Sequence, residues 1–137
     1  MNVATCHPDR KGVALGLCSS CWQKQNLIRK PELHERRRLQ IIKWRRALKF
    51  EVLTHYGNGK AACIRCGFDD ARALQIDHVF GGGAKEIRAH GQGGTGQYLR
   101  LKKAGFPPGY QTLCANCNWI KADENQERAN LKKKEIN

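Results

Sequence analysis

Three pairs of cysteines, each separated by two residues, constrain this chain more than any other feature of its sequence. The pairs lie at positions 18 and 21, 63 and 66, and 114 and 117. Two intervening residues let one turn of backbone direct both sulfurs at a single tetrahedral ion. There are seven cysteines, and an odd number cannot form a fully paired disulfide framework. The spacing therefore favours zinc in a reducing compartment over disulfides. The alternative is redox dithiols of the thioredoxin type, in which the pair opens a helix after a strand, but three such pairs in one small basic protein would be unusual.

The chain is strongly basic, which limits what it can bind. Its 137 residues include 25 Lys and Arg against 12 Asp and Glu, giving a formal charge of +13 and a pI near 9.8. The mean hydropathy is −0.65, and no window approaches the ~18 apolar residues that a membrane span needs. The first 30 residues contain no continuous apolar stretch, so we expect no secretory signal and a cytoplasmic location. Phosphate-rich DNA is the partner that such a charge favours.

The two later cysteine pairs predict one structural zinc site. They are separated by an insert of 47 residues, and together they supply four thiolates, which fill a tetrahedral site and leave no position for water. Metal binding at such a site becomes folding free energy, on the order of 10 kcal/mol in small zinc domains. The alternative is two half-sites that each share ligands with another chain. The predicted ligands are Cys63, Cys66, Cys114 and Cys117.

A second zinc site is predicted near the N-terminus. Cys6, Cys18 and Cys21 offer three thiolates, and a tetrahedral ion needs a fourth ligand. His7 is the nearest candidate, although adjacent residues chelate one ion only with a bent backbone, and His34 is the alternative. The competing interpretation is a leader with reduced, unligated cysteines. If zinc is bound, we expect the segment to grip DNA or to present the helix that follows it.

Residues 31–56 show the periodicity of a basic helix. Pro31 and Glu32 suit a first helical turn, and glycines at 57 and 59 provide an end. Seven cations lie within residues 36–49, with no acidic residue among them. They predict salt-sensitive binding to DNA phosphates, while Trp44 and the aliphatic residues that recur along the helix could pack on the core or pair two chains. Charge runs are usually solvated faces, which is the plainer alternative. The predicted DNA contacts on this helix are Arg37, Arg38, Arg45 and Arg46.

The chemistry is concentrated inside and just after the insert. Residues 74–79 alternate like a short strand that ends at Asp77 and His78. If a helix opens at the last cysteine pair, Asn118 and Lys121 lie on one of its faces. Asp77 and Asn118 then offer oxygen ligands for Mg²⁺ or Mn²⁺, and His78 can take a proton from water. Lys121 can hold a neighbouring phosphate. These groups suit the hydrolysis of a phosphodiester.

At this point the sequence resembles the HNH, or ββα-metal, endonucleases with a structural zinc. The matching residues are the Asp77-His78 pair, the segment from Leu113 to Lys121, and the upstream cysteine pair. The Cys-Asn ending is similar to phage Holliday-junction-resolving endonucleases and to small phage-encoded HNH proteins. The resemblance covers roughly residues 60–122, and more loosely residues 16–22. It implies metal-dependent DNA cleavage, with His78 as general base, catalytic Mg or Mn on Asp77 and Asn118, and zinc on the four later cysteines.

Three departures from the family pattern affect these expectations. The middle Asn of the motif is missing, and Gln111 is a candidate to orient the base in its place. The final metal-binding His is Asn118, which favours Mg²⁺ or Mn²⁺ over softer metals. The stretch from Gly81 to Pro108 is longer than the minimal motif. We expect it to form a DNA-contacting loop in which Arg88 or His90 reaches a phosphate.

The sequence therefore predicts an α+β protein with a small zinc-stapled ββα-metal core, also called a His-Me finger. The expected segments are an N-terminal zinc knuckle (residues 1–30), a basic linker helix (31–56), the nuclease domain (57–122) and a charged tail (123–137). The predicted activity is metal-dependent endonuclease action on DNA, in a host cytoplasm if the chain is phage-encoded. Two alternatives are a non-enzymatic zinc-ribbon DNA-binding protein and a resolvase of branched DNA. A resolvase needs two active sites, so a homodimer would favour it.

Overall fold

A computed structural model describes residues 3–91 and 93–127 of the chain. The chain divides into two compact units between residues 43 and 44. The described residues form five helices and two small antiparallel sheets. The predicted α+β class is confirmed. No helix in the part of the chain described here is long and apolar enough to cross a membrane.

The N-terminal unit is built on a small hairpin followed by a helix. Strands β1 (Gly12–Ala14) and β2 (Leu17–Cys18) pair antiparallel, and helix α1 (Ser19–Arg29) follows directly. Leu15 and Gly16 both have positive φ at the tight turn between the strands, as the mirror-image turns that favour hairpins require. The hairpin therefore delivers β2 to the start of α1.

Helix α2 (Pro31–Tyr56) has the bounds that the sequence predicts. Proline suits the first helical position because its missing N–H has no intrahelical partner there. In the second unit the helix buries Leu48, Val52, Leu53 and Tyr56, whose spacing places them on one face. Through this face, α2 contributes to the hydrophobic core of the second unit.

The second unit is organised around a two-stranded sheet and the helix that follows it. Strand β3 (Leu74–His78) pairs antiparallel with β4 (Tyr110–Cys114), so that Leu74 lies opposite Cys114 and His78 opposite Tyr110. Helix α5 (Ala115–Glu124) begins directly after β4 and packs on the sheet. Side chains alternate along a strand, so Asp77 and His78 project to opposite faces. The order β3, β4, α5 is a ββα arrangement.

The stretch from Gly81 to Pro108 is largely helical, where the sequence led us to expect a loop. It forms α3 (Gly83–His90) and α4 (Thr95–Lys103), bounded by Gly82, Gly91 and Gly94 with positive φ. Leu101 of α4 is fully buried against the apolar face of α2. Burial of this apolar surface stabilises the helical structure of the segment.

The charged tail is described only at its beginning. Helix α5 ends at Glu124, and residues 125–127 continue in turns that hydrogen bond back to the helix. The rest of the predicted tail, residues 128–137, lies outside the described residues. The proposed segment boundaries remain predictions.

Candidate functional site

The four later cysteines converge at one end of the ββα arrangement. Their sulfurs all lie within 4.8 Å of one another. Cys66 Sγ is 3.7 Å from Cys114 Sγ, far longer than a disulfide bond of about 2.05 Å. Two sulfurs bound to one zinc at about 2.3 Å in a tetrahedron lie roughly 3.8 Å apart. The group therefore has the composition and spacing of a site that could bind zinc.

The thiols of this cluster differ in acidity. Burial tends to raise the pKa of Cys63, but hydrogen bonds from the backbone N–H groups of Cys114, Cys66 and Arg65 outweigh it and lower the pKa to about 6. Burial and the neighbouring Cys114 thiol raise the pKa of Cys117 to about 12. In the absence of a metal, one thiol of the cluster therefore ionises readily, and ionisation of a second thiol is disfavoured. A bound cation removes that conflict, because a coordinating thiol is deprotonated outright.

A second group of metal-binding side chains lies in the N-terminal unit. Its members are Cys6, His7, Cys18 and Cys21, with ligand atoms again within 4.8 Å of one another. His7 Nδ1 is 3.5 Å from the sulfurs of both Cys18 and Cys21. This matches the roughly 3.5 Å edge between nitrogen and sulfur on a tetrahedral zinc. Of the two predicted fourth ligands, the structure brings His7 to the cluster and not His34.

The thiols of the N-terminal group also differ in acidity. The Ser20 hydroxyl and the Cys21 backbone lower the pKa of Cys18 to about 6. The Cys18 sulfur and burial raise the pKa of Cys21 to about 11. As in the other cluster, one sulfur readily carries a negative charge and its neighbour does not.

Asp77 lies in a buried ion pair. Its carboxylate is 3.0 Å from Lys121 Nζ and accepts a 2.7 Å hydrogen bond from Gln111 Nε2. The side chains of Asp77 and Lys121 are only 9% and 10% exposed. Lys121 Nζ also donates to the His78 carbonyl oxygen at 2.5 Å and to the Glu127 carboxylate at 2.9 Å.

The buried ammonium is stabilised in its charged form. Burial tends to lower the pKa of Lys121, but hydrogen bonds to Glu127 and Asp77 outweigh it and raise the pKa. This setting favours a role for Lys121 as the counter-charge of Asp77 over the predicted contact with a phosphate.

Asn118 and Asp77 have different partners. The Asn118 amide donates to Gln75 Oε1 at 3.2 Å. Gln75 and Asp77 lie two residues apart on β3, which corresponds to about 6.5 Å along a strand. The structure therefore places Asn118 and Asp77 on the same side of the sheet, but it does not bring the two side chains to a common metal position.

His78 lies on the other side of the sheet among residues that the motif did not predict. Its Nε2 contacts the Glu86 carboxylate, which also pairs with Arg100 and accepts a 2.7 Å hydrogen bond from the Tyr110 hydroxyl. Its ring centroid is 4.8 Å from that of Tyr110. Glu86 is the only acidic residue between positions 81 and 108, and this isolation was the available signal for it.

The predicted DNA contacts lie on three helices, and all of them except Lys121 of α5 are exposed. Arg38 forms an ion pair with Glu35 at 2.9 Å. Because the pair is exposed to water, it contributes little to folding stability. None of these exposed cations lies among the side chains that contact His78. The exposed set consists of Arg37, Arg38, Arg45 and Arg46 on α2, and Arg88 and His90 on α3.

No protein-family model matches the chain, and neither does any curated protein or solved structure. What the site can do is therefore argued from its chemistry. The oxygen donors around Lys121 Nζ come from two carboxylates and one backbone carbonyl, and hard divalent cations prefer such donors. The donor class fits Mg²⁺ or Mn²⁺, but a metal at Asp77 competes with the Lys121 ammonium for the carboxylate.

Proposed function

We propose that the chain is a metal-dependent DNA endonuclease that hydrolyses phosphodiester bonds. One observation carries the proposal: an imidazole held by a carboxylate follows Asp77 at the end of a strand, in a ββα unit closed by four cysteines. The side chain of His78 is 17% exposed, so part of it reaches solvent. A structural ribbon alone has no need of an imidazole oriented in this way.

In this proposal His78 is the general base. A neutral imidazole near pH 7 can take a proton from the water that attacks phosphorus. The exposed arginines of α2 supply charge for the DNA backbone without reading its sequence, so the affinity falls as salt is raised. Arg88 and His90 on α3 are the further phosphate contacts of this proposal.

The catalytic cation of the proposal is Mg²⁺ or Mn²⁺. Asp77 and Asn118 are the residues that would hold it, with Asn118 turning from Gln75 and the Asp77 carboxylate shared with Lys121. The side chains of Asp77 and His78 leave β3 on opposite faces, so the proposal requires the phosphate to span the end of that strand. A bound divalent cation offsets the charge that develops on the phosphate and on the leaving 3′ oxygen. The two cysteine-rich groups hold structural zinc, and neither offers a position for a substrate.

The decisive experiment compares the wild-type chain with His78→Ala on supercoiled plasmid, with and without Mg²⁺ or Mn²⁺. We expect the wild type to cut only with the metal and His78→Ala to lose cutting. Zinc content and DNA affinity of the variant should stay at the wild-type level, which controls for folding. Equal cutting by both proteins would overturn the assignment of His78.

A second candidate is a zinc-stabilised DNA-binding protein without catalytic activity. The observation that favours it is the buried pair of Asp77 and Lys121, in which an ammonium already neutralises the carboxylate. This candidate predicts salt-dependent DNA binding, no cleavage with any divalent metal, and no effect of His78→Ala on the measured function. The plasmid experiment distinguishes the two candidates directly.

A further inference from the structure

Helix α3 lies beside both nitrogen atoms of the His78 ring. Glu86, one turn into the helix, presents its Oε2 atom to His78 Nε2. Gly83, the first residue of the helix, lies beside the opposite nitrogen. A Cβ atom added at Gly83 would lie 3.0 Å from His78 Nδ1 and 3.3 Å from Cε1, closer than ordinary van der Waals contact.

The hydrogen bonds of Glu86 fix which of its oxygens faces the imidazole. Tyr110 and Arg100 both donate to Oε1, whereas His78 contacts Oε2. Burial tends to raise the pKa of Glu86, but the hydrogen bonds from Tyr110, His78 and Arg100 outweigh it and lower the pKa to about 2. The carboxylate is therefore ionised and can only accept hydrogen bonds. A nitrogen that faces it must carry the proton.

We propose that Glu86 is a positioning residue that orients the His78 ring with its proton on Nε2 and leaves Nδ1, beside Gly83, as the proton acceptor. The catalytic consequence rests on the proposed endonuclease function. There, Nδ1 takes a proton from water, the water oxygen bonds to phosphorus, and the 3′ oxygen leaves and is protonated by solvent. The resulting imidazolium faces the Glu86 carboxylate, which compensates its charge.

Substitution of Glu86 by Gln separates this role from a merely structural one. The Gln Oε1 can still accept from Tyr110 and Arg100, so the links between α3, α4 and β4 are retained. Its NH₂ group replaces the oxygen that faced His78 and can only donate. His78 must then offer a lone pair at Nε2 and carry its proton on Nδ1, which cannot act as a base.

The first measurement is nitrogen NMR of the His78 ring in the full zinc-loaded chain at alkaline pH. We expect the Nε2–H tautomer in the wild type and the Nδ1–H tautomer in Glu86→Gln. The same tautomer in both proteins would overturn the inference. This readout does not depend on DNA cleavage, so it stands or fails separately from the proposed function.

The second measurement is cleavage of saturating DNA. We expect Glu86→Gln to lower the maximal rate by ~10²–10⁴-fold, the range seen when a base is held in the wrong tautomer, with an unchanged DNA dissociation constant. Glu51→Gln is the matched control, because Glu51 likewise pairs with a cation of α4, Lys102 at 2.7 Å, but lies away from His78. A wild-type rate in Glu86→Gln would contradict the inference, whereas an inactive wild type would contradict the endonuclease proposal.

Gly83→Ala provides an independent variant. Gly83 does not have positive φ, so its backbone suits alanine, and only the added methyl group near Nδ1 differs. We expect the Nε2–H tautomer to persist while the cleavage rate falls at least tenfold. Unchanged cleavage in an active background would show that Nδ1 is not the working nitrogen and would overturn that part of the inference.

Discussion

Substitution of Cys66 by serine tests whether metal binding holds the second unit together. Cys66 is exposed, whereas its three partners in the cluster are buried. Surface substitutions away from special features usually change the unfolding free energy by no more than ~0.5 kcal/mol. A structural zinc site contributes on the order of 10 kcal/mol, comparable to the roughly 5–15 kcal/mol total stability of a typical domain.

The burial pattern explains why loss of the metal ion should destabilise the whole second unit. Cys63, Cys114 and Cys117 belong to the same buried cluster as Leu53 and Leu74. Three of the six buried members of that cluster are cysteines, so a metal bound by them would be continuous with the apolar core. Loss of the ion leaves thiols of conflicting acidity inside it, and we expect the variant to lose several kcal/mol or to unfold.

The assay combines zinc content by mass spectrometry with urea unfolding of the full chain. We expect about two zinc ions per wild-type chain and about one in Cys66→Ser. Cys21→Ser is the matched control, since it removes a ligand of the N-terminal group and should leave the second unit folded. A Cys66→Ser protein with wild-type zinc content and stability would refute the reasoning.

Three further outcomes are expected. Thr112 is fully buried and donates to the Leu53 carbonyl oxygen at 2.8 Å, so Thr112→Val should lower the urea-unfolding free energy by ~1–3 kcal/mol; no change would contradict this. Lys121→Met should cost ~3–5 kcal/mol because it leaves the Asp77 carboxylate buried and unpaired, and adding Asp77→Asn should recover part of the loss. The pKa of Glu86 is lowered from 4.5 to about 2, so its stabilisation, on the order of 3 kcal/mol, is present above about pH 4.5 and lost towards pH 2. The stability difference between wild type and Glu86→Gln should shrink as the pH falls through that range, and a difference that grows would be contrary to expectation.

The local elements of the fold could be predicted because their signals are short-range. The bounds of α2 follow from a proline that starts the helix and glycines that end it, and β3 follows from alternation up to the Asp77-His78 pair. The convergence of the four later cysteines follows from the geometry of paired thiolates on one ion. In each case the information lies within a few residues or in the chemistry of one metal.

The helices between Gly81 and Pro108 and the surroundings of His78 could not be predicted in the same way. Helices α3 and α4 depend on tertiary burial, such as that of Leu101 against α2, which local sequence does not reveal. Strand alternation sends Asp77 and His78 to opposite faces, whereas the motif alone suggested that both reach one site. The partners of Asn118 and Lys121 likewise depend on how α5 lies on the sheet, which spacing does not specify.

Strand cleavage by the wild-type chain is the defining property of the proposed endonuclease. Zinc-loaded protein is mixed with labelled duplex and four-way-junction DNA at saturating protein, and strand scission is followed before and after addition of Mg²⁺. We expect no scission without the divalent metal and scission of at least one substrate with it. Saturated binding of both DNAs with no scission in Mg²⁺ or Mn²⁺ would contradict the endonuclease proposal and favour a DNA-binding protein without catalytic activity.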